Sequence, residues 1–77
     1  LMFRDKWTRT SKFKRLGESR TRRAIHYIEL IGNLSNKNYY EYDKVQVKAI
    51  TRALRGAIKN IEDAFEEEAG KIRRFKL

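Results

Sequence analysis

Apolar residues recur at three- and four-residue steps in two stretches of this chain. Ala24, Ile25, Ile28, Ile31 and Leu34 make up the first, and Val47, Ile50, Leu54, Ala57, Ile58, Ile61, Ala64 and Phe65 the second. A period of about 3.6 residues puts each set on one side of a helix. The first pattern predicts a helix from about Glu18 to Leu34, closed by Gly32, Asn33, Ser35 and Asn36, whose small or polar side chains suit a cap and turn. The second predicts a helix that begins after Asp43, whose carboxylate can accept from the first free backbone amides, and ends near Gly70. The chain has no proline, so neither helix meets an obligatory break. Two amphipathic stripes joined by a short polar segment predict an all-α fold, an antiparallel two-helix hairpin over residues 18–70.

The flanks read differently. Before Glu18, Phe3, Trp7, Phe13 and Leu16 are scattered among basic and hydroxyl residues, and Thr8, Thr10 and Ser11 lower helix propensity between them. Residues 1–17 are therefore expected to be an extended basic aromatic arm. Its first 16 residues would be unstructured alone and ordered on a partner, with Trp7 as anchor. Residues 71–77 read as a short basic tail. The chain opens on Leu1, which suggests that residues precede it.

With 77 residues there is room for one domain, and a chain of that size buries only roughly 60% of the surface it exposes when unfolded. A deep catalytic cleft is not expected. The chain has no cysteine, which removes disulfides, thiolate chemistry and cysteine-based zinc sites. It also lacks a long apolar run and a secretory signature, so a soluble protein of the cytoplasm or an organellar matrix, not a secreted one, is expected. The 40% of apolar residues argues against complete disorder.

Charge changes the picture most. Nineteen Lys and Arg stand against ten Asp and Glu, a net charge of +9, and they are not evenly mixed. Residues 1–23 carry +7, residues 24–43 carry −2, residues 44–60 carry +5 with no acid, residues 61–70 carry −5, and residues 71–77 carry +4. Within the second helix Lys44, Lys48, Arg52, Arg55 and Lys59 fall at i, i+4, i+8, i+11 and i+15, on one side. Uninterrupted like charges at those steps repel mildly, which favours a phosphate-facing ridge over a merely solvated face. In the arm, Arg4, Lys6, Arg9, Lys12, Lys14 and Arg15 interleave with Phe3, Trp7 and Phe13, a mixture that neutralises phosphate and stacks on bases. Arg20, Arg22 and Arg23 would open the first helix, where they oppose the macrodipole unless an anion lies between them and the helix amides. Exposed arginines with Glu18 compensating Arg22 are the other reading. Arg73 and Arg74 extend the basic set into the tail.

The remaining features point less sharply. Tyr39, Tyr40 and Tyr42 lie in the connection, where they would cover the open end of the hairpin or offer a ring to a base or a protein. The acidic block from Glu62 to Glu68 sits toward the end of the second helix, against the dipole, so a basic neighbour is expected, either this chain's own termini or a partner. His26 is the only histidine, and with Glu29 it does not make a metal site. No nucleophile, base and orienting group converge, and no glycine-rich phosphate loop is present. The expectation is a non-enzyme with no cofactor and no metal. Asn33, Leu34 and Ser35 match the glycosylation sequon by chance.

From Ile31-Gly32-Asn33-Leu34-Ser35-Asn36 through Asn38-Tyr39-Tyr40-Glu41-Tyr42 the chain resembles a group of small, largely uncharacterised bacterial helical proteins. The resemblance covers roughly residues 20 to 66 and implies a helix, an Asn-rich turn with Tyr, and a second helix. It carries no activity. In size and charge the chain is also similar to small ribosomal proteins. Together these features lead to an expected RNA-binding component of a ribosome or another ribonucleoprotein. Ribosomal RNA would be the main partner, with neighbouring proteins of the same complex beside it. DNA binding is the nearest alternative. A different class is a small helical subunit or inhibitor docking through its apolar stripes on a larger nucleic-acid enzyme. Membrane binding is not expected, because the exposed side of the second helix carries both signs of charge.

Overall fold

A computed structural model describes the backbone of residues 8–74 and the side chains of residues 8–71. The described residues form two helices and no strand: α1 is Arg9–Asn33 and α2 is Lys44–Arg74. The all-α expectation holds. The chain divides into two units, Leu1–Glu41 and Tyr42–Leu77, each built on one helix.

α1 starts well before Glu18, so residues 9–17 are helical and not an extended arm. Two local features explain the earlier start. Thr8 takes an extended conformation at φ −66° and ψ 158°, and its side-chain oxygen accepts from the Ser11 backbone N–H at 3.1 Å. The Ser11 hydroxyl donates back to the Thr8 carbonyl at 3.0 Å. Hydroxyl residues that weaken a helix interior thus cap its start. Phe13, Leu16, Arg20, Ala24, Ile28 and Ile31 then follow one another at steps of three or four, so the stripe read from Ala24 onward already begins at Phe13. Arg4, Lys6 and Trp7, with the anchoring role expected of Trp7, lie outside the described residues.

The end of α1 falls at the expected turn, but by a different device than left-handed glycine. Leu34 caps it at φ −70° and ψ −7°. Its N–H donates to the Ile31 carbonyl, and that of Ser35 to the Gly32 carbonyl, both at 3.0 Å. These three-residue bonds tighten the last turn and use carbonyls the helix leaves open. No described residue has positive φ. Beyond the cap, Asn36 organises the connection. Its side-chain oxygen accepts from Asn38 N–H at 3.0 Å, and its carbonyl accepts from the N–H groups of Tyr39 and Tyr40 at 3.2 and 3.1 Å.

α2 opens on a reciprocal capping box. The Asp43 carboxylate accepts from Gln46 N–H at 2.7 Å, while the Gln46 side-chain oxygen accepts from Asp43 N–H at 2.9 Å. Asp43 thus caps as its residue type foretold. The helix does not end near Gly70 but continues through the start of the expected tail to Arg74. Glycine costs roughly 1 kcal/mol inside a helix, a penalty opposed here by Lys71, a base near the negative end of the macrodipole. The acidic block therefore lies in the helix interior and not in its last turn. Lys71 supplies part of the basic company expected for it, with its Nζ 3.5 Å from Glu68.

No described residue is buried. Ile31 and Leu54 are half-buried, while Ile28 is 43% and Phe65 59% exposed. Each unit therefore carries its apolar stripe open, and the helices are held by caps and their own backbone ladders.

Two outcomes follow. Asp43→Ala removes the box and should lower the stability of α2 by about 1 kcal/mol, read as a loss of helical circular dichroism and an earlier melt that Asp43→Asn largely avoids. Gly17 and Gly56 are helical, and a Cβ at either meets nothing within 4 Å. Alanine at each should stabilise by about 0.5 to 1 kcal/mol; an earlier melt of Gly56→Ala would show that this site needs the bare backbone.

Candidate nucleic-acid interface

The ladder of α2 is built by helical geometry alone. Steps of four residues rise about 6 Å, so Lys44 to Lys59 spans about 22 Å along the axis. All five side chains are exposed. Lys44, Lys48, Arg52 and Arg55 have no ion-pair partner among the described residues, whereas Lys59 Nζ donates to Asp63 Oδ1 at 2.8 Å. The apolar residues Val47, Ile50, Leu54, Ala57 and Ile61 lie on a different side of the helix. The ridge carries no aromatic ring, so its chemistry is that of ammonium and guanidinium groups toward phosphate oxygens. Thr51 borders it and turns its hydroxyl inward to the Lys48 carbonyl at 3.2 Å.

α1 gathers a second basic surface. Lys12, Arg15, Arg22 and Arg23 fall on a side that also includes Ser19 and His26, while Arg9 and Arg20 run along the apolar stripe and Lys14 stands apart. All seven basic residues are exposed. Arg20, Arg22 and Arg23 do not open the helix, because α1 begins at Arg9. They lie in its middle, where the amides are taken up by the helix ladder, so joint anion binding with free helix amides is ruled out for them. Glu18 approaches Arg22 at 3.8 Å with both side chains largely exposed, a pair of small energetic weight. Arg73 and Arg74 fall in the last turn of α2; their side chains lie outside the described residues.

The tyrosines do not act together as a lid within their units. Tyr39 is 79% exposed, its ring tilted against Tyr40 with centroids 6.5 Å apart, and Tyr42 is half-buried. His26 makes an edge contact with Tyr27 at 5.8 Å. Among the described residues no cluster of three or more His, Asp or Glu side chains is placed to hold a metal ion. Among them, too, no helix is long and apolar enough to cross a membrane.

Three contributors escaped the sequence reading, although each had a signal. Thr8 with Ser11, and Gln46 as the reciprocal partner of the expected cap Asp43, have the three-residue spacing of a cap and its partner. Lys59 and Asp63 stand at i and i+4, the spacing of a helical ion pair.

No protein-family model, curated protein or solved structure matches the chain. The resemblance at Ile31 to Tyr42 accordingly gains no support from them, and function rests on the residues.

Proposed function

We propose that this chain is a non-enzymatic RNA-binding protein, a small structural component of a ribosome or another ribonucleoprotein. The observation that carries this reading is the α2 ridge, where Lys44, Lys48, Arg52 and Arg55 stand exposed, at steps of about one helical turn, without acidic partners among the described residues. Like charges so arranged cost the isolated helix tenths of a kcal/mol per pair, a cost that a phosphate backbone reverses. Contacts of this kind are to the backbone and read no sequence. The basic side of α1 adds to the same field, and RNA is favoured over DNA because no groove-reading motif occurs in the sequence. Location in the cytoplasm or an organellar matrix goes with this role.

In this proposal the helices pair as an antiparallel hairpin. Both stripes need cover, and the charges favour that orientation. The basic first half of α1, from Arg9 to Arg23, comes toward the end of α2 where Glu68 lies on the side of the stripe. A parallel arrangement would set the basic halves together. The ridge, lying away from the stripe, stays free for RNA.

The exposed stripes favour one other reading, a helical module that docks on a larger protein. Salt separates the two, because phosphate contacts weaken steeply with ionic strength and an apolar interface does not. Replacing Arg52 and Arg55 together with Gln should weaken binding to unrelated RNAs alike and lower the slope of log affinity against log salt by about 0.7 to 0.9 per lost contact, measured by fluorescence anisotropy. An unchanged slope refutes the phosphate role, and equal slopes on a DNA duplex would shift the reading to nucleic acid in general. For the hairpin, Ile28→Ala or Leu54→Ala should cost on the order of 2 to 5 kcal/mol where the pairing buries them fully; a melt coincident with the parent's would rule it out.

A further inference from the structure

The steps of four and three residues that place the ladder on one side of α2 do not stop at Lys59. They run on through Glu62, Asp63 and Glu66, so one continuous ridge is basic over its first four turns and acidic after that. Glu67, one turn beyond Asp63, borders it, and Glu68, of the same block, falls on another side of the helix. The junction is marked by the bond of Lys59 Nζ to Asp63 Oδ1 at 2.8 Å. Resting on the RNA-binding reading above, we infer that Asp63, with Glu62 and Glu66, is a built-in stop that ends the phosphate-binding track at Arg55 and withholds Lys59 from it.

The physical basis is direct. A phosphate strand laid along the ridge meets four cations without acidic partners among the described residues, then a lysine whose charge is already compensated, then carboxylates that repel it. An acid at i+4 from a lysine attracts it along the helix surface, and the two side chains here remain 70% and 56% exposed. The pair is therefore weak enough for its removal to matter to a ligand more than to the fold. Net charge alone would not distinguish Asp63 from Glu68. Position on the ridge does.

The test uses the full chain and a fluorescein-labelled RNA hairpin of mixed sequence, with affinity read across a salt series. Asp63→Asn should tighten binding by about three- to tenfold and steepen the salt slope by about 0.7 to 0.9, the signature of one added phosphate contact. The triple change Glu62→Gln, Asp63→Asn and Glu66→Gln should tighten it further. Glu68→Gln, an equal change in charge off the ridge, should leave the slope unchanged. In a Lys59→Gln background Asp63→Asn should no longer steepen the slope. A slope for Asp63→Asn equal to the parent's, or a change that Glu68→Gln reproduces, overturns the stop while leaving RNA binding intact. If the parent's own slope is flat, or indifferent to loss of Arg52 and Arg55, the RNA-binding reading fails first and the stop with it. Circular dichroism on each variant shows whether α2 is retained.

Discussion

The arrangement depends on one constraint: each helix has an apolar stripe, and within its own unit that stripe has nothing to cover it. Leu54 and Ile31 are half-buried, and none of the described residues goes deeper. The local order of such helices then rests on their ends. Thr8 with Ser11 and Asp43 with Gln46 satisfy amides that an open helix start would leave to water. Free energy that packing of an apolar face would add to such helices is not gained within either unit.

Charge is organised around the same helices. On α2 the apolar side and the charged ridge are separated by helical geometry, so one can be covered while the other meets an anion. The ridge is long, without ion-pair partners among the described residues over Lys44 to Arg55, and bounded where Lys59 meets Asp63. On α1 the basic residues are distributed more widely, with Arg9 and Arg20 running along the stripe. Long side chains of that type can lay their stems on apolar surface and keep the charge in water. The two helices thus bring different resources: α2 a directed track, α1 a diffuse positive field.

Much of this was legible in the sequence because it is local. The stripe from Val47 to Phe65, the cap at Asp43, the turn after Gly32 and the ladder from Lys44 to Lys59 each depend on residues a few positions apart, and a helix turns spacing into place. What the reading missed was local too, but ambiguous in sign. Thr8, Thr10 and Ser11 weaken a helix interior and strengthen a helix start, and composition does not say which position they hold. Gly70 can close a helix or sit inside one, and here α2 runs through it to Arg74. Of the five-membered ladder, four cations have no ion-pair partner among the described residues, whereas Lys59 faces an acid one turn on.

By itself, then, the sequence determined that the chain forms two helices, where the apolar and charged sides of each lie, and that one side of α2 is basic from Lys44 to Lys59. These follow from period, propensity and charge, which act over one or two turns. The structure decided that Phe13 and Leu16 belong to the first stripe, that Arg20, Arg22 and Arg23 sit in mid-helix and away from free amides, and that the acidic block lies inside α2. Those outcomes follow from where each helix starts and stops. That boundary is set by a balance of capping hydrogen bonds, glycine entropy and the macrodipole, terms of about 1 kcal/mol apiece, too close in size to rank from residue types and resolved only when the backbone is in place.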